Sequence, residues 1–321
     1  MRNVTVWVLA RSDDPSLGVL DEAAPGVRYV FGAAPADFAK LAPPDAILVC
    51  SLDRAALEPV FALAPGTRWV HSRATGVDSL LFPALVSSGA VLTNGRGVFS
   101  LRLAEFVIAA LLYFARDFPR LLRNQRRGLW EPFEPLDLAG RTLGIVGYGD
   151  IGRTIAERAR RLGMKVLALR RRPALSGADA WVDETLPPDQ LVALMRRADD
   201  VVVATPLTAE TRGLVGEAAI AALKPGAVLV NVGRGCVVDE TALARALAQR
   251  RIRGAALDVF EIEPLPGESP LWGLDNVLVS PHCADNIPGW REAAMRAFLA
   301  NLDRFRRGER LLSLVDKTLG Y

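Results

Sequence analysis

Short apolar runs recur along this chain, with amphipathic stretches between them. Val4–Ala10, Ala46–Ser51, Arg68–Ser72, Leu143–Val146, Val166–Leu169, Val201–Ala204, Val228–Val232, Ala255–Val259 and Val277–Ser280 read as strands. Several are continuous, as in "VLV" and "VVV", which is the pattern of strands covered on both faces in a parallel sheet. Helical spacing fills Ile151–Leu162, Pro188–Ala198, Glu217–Ala222 and Glu240–Gln249. The alternation predicts an α/β fold of doubly wound parallel sheets. Leu101 to Arg127 differs: it reads as one long helix, apolar in its first half and arginine-rich in its second. After "NIPGW", Arg291–Arg307 reads as a further amphipathic helix. These shifts predict a discontinuous domain, 1–100 with 288–321, and an inserted domain, 101–287, with hinges near 98–102 and 284–290.

Composition narrows the class. The 321 residues are 50% hydrophobic and 23% charged, enough for about two folded domains. Lys and Arg number 39 against 36 Asp and Glu, too balanced for a nucleic-acid or membrane surface. The three cysteines, Cys50, Cys236 and Cys283, are far apart and form no CxxC pair, so neither a metal site nor a disulfide framework is expected. A reducing, cytoplasmic setting fits best. The N-terminal apolar run is too short for a signal-peptide core, and nothing approaches a membrane span.

Candidate chemistry begins at "GYGDIG". Gly147, Gly149 and Gly152 follow a strand and open a helix in G-x-G-x-x-G spacing. Gly147 suits the tight turn, Gly149 a close approach of pyrophosphate to backbone, and Gly152 close packing of helix on sheet. The amides and dipole of the helix start then hold the anion. This strand, loop, helix and second strand predict a dinucleotide site. The second strand ends in "RRRP", where a ribose-gripping acid would ordinarily stand. Arg170, Arg171 or Arg172 suits a 2′-phosphate in that place, which predicts NADP(H) over NAD(H), with NAD(H) as the less favoured cofactor. A solvated basic turn is the plainer reading.

Beyond that loop the sequence resembles the D-isomer-specific 2-hydroxyacid dehydrogenases, which include glyoxylate/hydroxypyruvate reductases. The matching segments are "LAGRTLGIVGYGDIG", "TPLTAETRGLV", "LKPGAVLVNVGRGCVVDETAL", "GAALDVFEIEPLP" and "VLVSPHCAD". "HSRATGVDSL" and "LTNGRG…LAEFVIAALL" match more loosely. The resemblance implies two Rossmann-like domains around a cleft, 1–100 with 288–321 for substrate and 101–287 for dinucleotide. It implies Arg234 as substrate anchor, Glu263 as partner of a histidine, and His282 as proton donor. An imidazolium is a suitable acid near neutral pH, and a carboxylate on its other nitrogen favours the charged form. It further implies Asp150 and Ile151 at the pyrophosphate, Thr205 and Pro206 beside the adenosine half, and Val232 and Asp258 near the nicotinamide. The loop amides of Ala74, Thr75 and Gly76 are implied to take the substrate carboxylate, and Arg234 and His282 are further substrate contacts. A homodimer through the nucleotide domain is the family default.

Several residues keep two readings. Arg73 adds charge at the substrate loop or faces water. Asp258 accepts from the nicotinamide amide or caps a turn. Trp130 packs locally or reaches a partner's active site. His71 and Trp290 read as structural, with His71 alternatively shaping the substrate loop. The arginines at 116, 120, 123, 126 and 127 read as a solvated or subunit-facing side. The expected activity is NADPH-preferring reduction of small 2-oxo acids, of the glyoxylate or hydroxypyruvate type, to D-2-hydroxy acids. The alternatives are an NAD-dependent D-2-hydroxyacid dehydrogenase for a bulkier substrate and a non-catalytic dinucleotide sensor or corepressor-like protein.

Overall fold

In the first strand Val6 and Val8 pack to one side and Trp7 and Leu9 to the other, so that sheet is covered on both faces. The computed structural model describes residues 2–51, 54–176 and 179–321. It divides into two compact units, Met1–Phe99 with Ile287–Tyr321, and Ser100–Asn286.

The first unit holds β1 (Val4–Leu9), β2 (Val27–Gly32), β3 (Ala46–Val49), β4 (Trp69–Ser72) and β5 (Val91–Thr93) in the order β2-β1-β3-β4-β5. Every pairing is parallel. One face takes α1 (Arg54–Leu63) and α2 (Pro83–Ser87), through Leu57, Val60, Phe61 and Leu85. The last helix of the chain, Trp290–Arg307, covers the other through Met295, Phe298, Leu302 and Phe305. Phe298 stacks on Trp69 with ring centroids 5.2 Å apart. Such aromatic pairs add to the burial of their area.

The second unit holds α3 (Ser100–Ala115), α4 (Phe118–Arg127), β6 (Thr142–Val146), α5 (Asp150–Arg161), β7 (Lys165–Leu169), β8 (Glu184–Leu186), α6 (Leu191–Arg197), β9 (Asp200–Val203), α7 (Glu217–Ala221), β10 (Val228–Asn231), α8 (Glu240–Ala248), β11 (Gly254–Leu257) and β12 (Val277–Val279). Its parallel sheet runs β12-β11-β10-β9-β6-β7-β8. The order reverses at β6 and β9. There the chain leaves β6 toward β7 on one side and returns as β9 on the other, opening the crevice in which doubly wound sheets bind ligands. The helix that closes the first unit is α9.

The expected long helix is in fact two. α3 ends at Ala115, Asp117 takes a left-handed φ of 50° and caps α4 through a bond from the Arg120 amide, and α4 begins at Phe118. Pro119 is the cause: it has no amide to donate and its ring collides with the carbonyl four residues back, that of Ala115.

Candidate active site

The second unit's chemistry lies at the carboxyl ends of its strands. β6 runs into Gly147, which takes φ +102° to make the turn. A Cβ on Gly152 would lie 2.2 Å from the Gly147 carbonyl oxygen, so only glycine lets α5 start that close. At Gly149 an added Cβ would enter open space, as a backbone kept clear for a ligand requires. The first amides of α5, those of Asp150, Ile151 and Gly152, have no acceptor within a helix, and helix starts of this kind are where anions bind. The Asp150 carboxylate accepts from Ser100 Oγ at the start of α3. These features fit a dinucleotide pyrophosphate.

The three arginines follow β7 directly. Arg170 is half-buried, its guanidinium 5.9 Å from the centre of the Tyr148 ring. Arg171 is ion-paired to Glu210, and Arg172 is exposed. Thr205 is buried just beyond β9, and Pro206 beside it is exposed. Val232 is buried beyond β10.

Arg234 stands on a clamped turn. Asn231 accepts from the Gly233 amide at 3.0 Å and donates to the Arg234 carbonyl at 3.1 Å. The next residue must be glycine: a Cβ on Gly235 would sit 1.8 Å from the Phe260 carbonyl carbon. That contact presses the Arg234 turn onto the segment bearing Glu263. Glu263 accepts from the Phe260 amide at 3.0 Å through Oε1 and bonds His282 Nδ1 at 2.7 Å through Oε2. His282 Nε2 has no partner among the described residues.

Electrostatics follow from this geometry. The bond to Glu263 raises the pKa of His282 above its ordinary 6.5, against opposing burial and the charge of Arg234. Burial lifts the pKa of Glu263, but the bonds from His282 and the Phe260 amide more than reverse it, leaving it lowered. His282 takes a left-handed φ of 50°, uncommon for a residue with a side chain. Asp258 holds that turn. Its carbonyl accepts from the His282 amide at 2.9 Å, and Oδ1 accepts from Ser280 Oγ and from the amides of Cys283 and Ala284 at 2.6, 2.9 and 3.0 Å. Both readings of Asp258 therefore stay physically compatible, since Oδ2 has no hydrogen bond among the described residues. Sequence reasoning missed Ser280 and Asn231 as supports. Nearby, burial and the charge of Asp258 raise the pKa of Asp285, with His282 and Arg234 acting against it.

In the first unit, the loop after β4 carries Ala74, Thr75 and Gly76. Their carbonyl side is tied to the loop after β5: Gly95 N donates to Ala74 O at 3.0 Å and Asn94 Nδ2 to Thr75 O at 2.5 Å. The three amides donate to no acceptor among the described residues. Arg73 does not face water: it is buried and paired with Asp14. His71 is fully buried, bonds Thr93 Oγ1 at 2.7 Å, and lies against Trp69 and Phe298. Burial pushes its pKa down to about 3, so it is a neutral packing residue. Trp130 does not pack locally; it is 97% exposed. Among the described residues no cluster of His, Cys, Asp and Glu is placed to hold a metal ion, and no helix is long and apolar enough to cross a membrane.

The sequence and fold have relatives. The family model described as D-isomer specific 2-hydroxyacid dehydrogenase, NAD binding domain, matches residues 108–284. A glyoxylate reductase of Korarchaeum cryptofilum is 37% identical over 264 residues, 80% of this chain and 79% of that one. A D-isomer specific 2-hydroxyacid dehydrogenase of Xanthobacter autotrophicus, solved with NADPH and MES, superposes with a TM-score of 0.86 over 100% of each chain at 34% identity. An NADPH-dependent glyoxylate/hydroxypyruvate reductase of Sinorhizobium meliloti, solved with NADP and sulfate, gives 0.86 over 99% of each at 29% identity. By its sequence and its two parallel-sheet units, this chain belongs to the D-isomer-specific 2-hydroxyacid dehydrogenase family and is an NAD(P)-dependent oxidoreductase.

Proposed function

We propose that the chain is an NADPH-preferring reductase of small 2-oxo acids, glyoxylate or hydroxypyruvate, giving D-2-hydroxy acids. The observation that carries this reading is the 2.7 Å bond between His282 Nδ1 and Glu263 Oε2, which leaves Nε2 available as a proton donor. Relatives named glyoxylate reductase, and the Sinorhizobium meliloti enzyme solved with NADP, support the substrate class and the cofactor.

A dinucleotide held here would supply the hydride that C2 of the substrate takes up. The rest falls to this chain. Gly147, Gly149, Asp150, Ile151 and Gly152 would hold the pyrophosphate, Thr205 and Pro206 would border the adenosine half, and Val232 and Asp258 would border the nicotinamide, with Asp258 accepting from its amide. Arg234 pairs with the substrate carboxylate and polarises the ketone, stabilising the oxygen as negative charge builds there. Within the first unit, the amides of Ala74, Thr75 and Gly76 are assigned to a substrate carboxylate. His282 gives its Nε2 proton to the ketone oxygen and ends neutral, keeping the Nδ1 proton on the bond to Glu263. Arg170, Arg171 and Arg172 face a 2′-phosphate. We also propose that the protein is a homodimer.

An NAD-dependent dehydrogenase is the second reading, and one observation favours it: Glu210 already neutralises Arg171. Steady-state kinetics with both cofactors on glyoxylate and hydroxypyruvate decide. A hydrogen bond to a charged group contributes about 1.5–3 kcal/mol, so kcat/KM with NADPH should exceed that with NADH by about tenfold or more. Arg170→Asp should bring the ratio toward NADH. Parity in the wild type would overturn the NADPH preference. A protein that binds dinucleotide and turns over no 2-oxo acid would overturn the reductase itself.

A further inference from the structure

We infer that Arg73 is a positioning residue: paired with Asp14, it holds the 74–76 loop with its amides available to receive a carboxylate. The inference rests on the functional reading above and deepens it, because none of the residues assigned there explains how that loop keeps its shape.

Arg73 is the first residue after β4. Its amide donates to Val49 O at 2.9 Å, extending the strand register one step beyond the sheet. Its side chain turns inward and is only 9% exposed. Nη1 donates to Asp14 Oδ2 at 2.5 Å and to Ser16 Oγ at 3.0 Å, and Nη2 to Cys50 O at 2.8 Å. The guanidinium carbon lies 5.4 Å from the centre of the Trp290 ring at the start of α9. One planar fork thus joins the segments that follow β1, β3 and β4, and rests on a fourth. A lysine has neither the fork nor the flat face to do this.

Asp14 is fixed before Arg73 reaches it. Its Oδ1 accepts from the Ser16 amide at 3.0 Å and from Ser16 Oγ at 2.6 Å. Burial raises the pKa of Asp14, but the bonds from Ser16 and Arg73 outweigh it and leave it lowered, so the partner is a carboxylate. The positive charge of Arg73 is therefore spent inside the first unit. A guanidinium so neutralised adds little attraction for a substrate anion.

The consequence lies in the backbone. Arg73 fixes the loop at its root. On the far flank Gly95, Asn94 and Thr75 hold the carbonyls of residues 74 and 75 and the Gly95 carbonyl, at 3.0, 2.5 and 3.2 Å. With root and carbonyls both held, rotation of these peptide planes is restricted, and their amides, which donate to no acceptor among the described residues, stay available to an anion. Released at its root, the loop would have to be ordered again each time substrate binds, at a cost in affinity.

The test uses the full-length protein with Arg73→Met, Arg73→Lys and Asp14→Asn. Arg73→Met should raise KM for the 2-oxo acid by about tenfold to a hundredfold. The dissociation constant for NADPH and the pH inflection of kcat/KM should both stay within about twofold, since neither depends on this loop. Asp14→Asn should move KM in the same direction, and Arg73→Lys should recover only part of the loss. A role confined to stability would lower the unfolding temperature and leave KM unchanged well below it, which overturns the inference. A direct attraction between Arg73 and substrate would make Asp14→Asn lower KM by unmasking the charge, which also overturns it. Hydrogen exchange separates this idea from the functional reading. The Arg73 and Gly95 amides, bonded to Val49 and Ala74, should exchange faster in Arg73→Met whether or not the wild type proves to be a reductase. Unchanged exchange there sinks the inference alone.

Discussion

His282, the proposed proton donor, is bonded to a carboxylate of the preceding loop, that of Glu263. The carboxylate of Glu263 raises its pKa above 6.5, so the donor form persists further into the neutral range. Reduction needs that form, and so kcat/KM for the 2-oxo acid should fall as pH rises through the raised value. Glu263→Gln removes both the charge and the acceptor that stabilise the imidazolium. The inflection should move to lower pH, and kcat/KM at neutral pH should drop by about a hundredfold or more, the usual contribution of a positioned acid. A pH profile that keeps its inflection in the variant would assign the proton to another group. Linkage has the same sign: the folded pKa of His282 lies above its unfolded one, so its contribution to stability is full below 6.5 and is lost as pH rises through the raised value. At this scale the motifs of the sequence pointed to Arg234, Glu263 and His282, and the structure bonds the last two to each other. The sequence was opaque where one backbone turn is held by groups from another. Ser280 bonding Asp258, and Asn231 spanning the Arg234 turn, are polar side chains that would serve equally well on a surface. Arg73 is of the same kind: its partner Asp14 lies in the loop after β1, and only the fold makes them neighbours.

Among the elements, β1, β3, β4, β6, β7 and β9–β12 were readable, because most lie inside a parallel sheet and show continuous apolar runs. β2, β5 and β8 were missed. All three are edge strands, and β5 and β8 are three residues long, so their extended shape comes from the neighbour they pair with and not from their own pattern. The α3–α4 break was present in "DFP", a capping acid with a proline at the start of a helix, but the periodic arginines beyond it masked the signal. The sheet also contains an ion pair that periodicity does not reveal. Arg141, just before β6, makes two bonds of 2.9 Å to Asp200 at the start of β9, and Asp200 accepts from the Val228 amide of β10 at 3.2 Å. Three adjacent strands are thus tied at their amino ends, opposite the site. Arg141→Met would leave the buried Asp200 without its charge partner and should cost about 3–5 kcal/mol. Denaturant unfolding checks this, with Arg141→Met/Asp200→Leu expected to recover much of the loss. If the single variant unfolds with the wild-type midpoint, the pair does not help hold the sheet.

For the whole molecule, the segment after α4 presents apolar surface on a fixed backbone. Arg120 pairs with Glu131 at 3.2 Å and lies 4.4 Å from the centre of the Phe133 ring, and Arg116 pairs with Asp137 at 2.9 Å. Part of the arginine stripe on this stretch of helix therefore pins residues 131–137 in place. On the same stretch Phe118, Leu121, Leu122 and Leu129 are exposed, and Trp130 is almost entirely so. Isolated surface leucines are ordinary, but these side chains and a bare tryptophan lie within one short stretch of chain, which makes it the surface assigned to the proposed homodimer. An exposed tryptophan suits an anchor residue in an interface, because its large ring leaves water on docking. The proposed homodimer gives that cluster an occupant: the same cluster, or the site region, of a second copy. Light scattering should then report a mass of roughly twice 34.7 kDa for the wild type. Leu121→Glu, with a charge desolvated at the interface core, should shift the protein to monomer while NADPH binding persists. Trp130→Ala distinguishes the two placements of the tryptophan. An anchor alone weakens the dimer and leaves KM for the 2-oxo acid unchanged, whereas a residue reaching the partner's site raises KM in protein that is still dimeric. A dimer indifferent to both substitutions would put the interface on another surface.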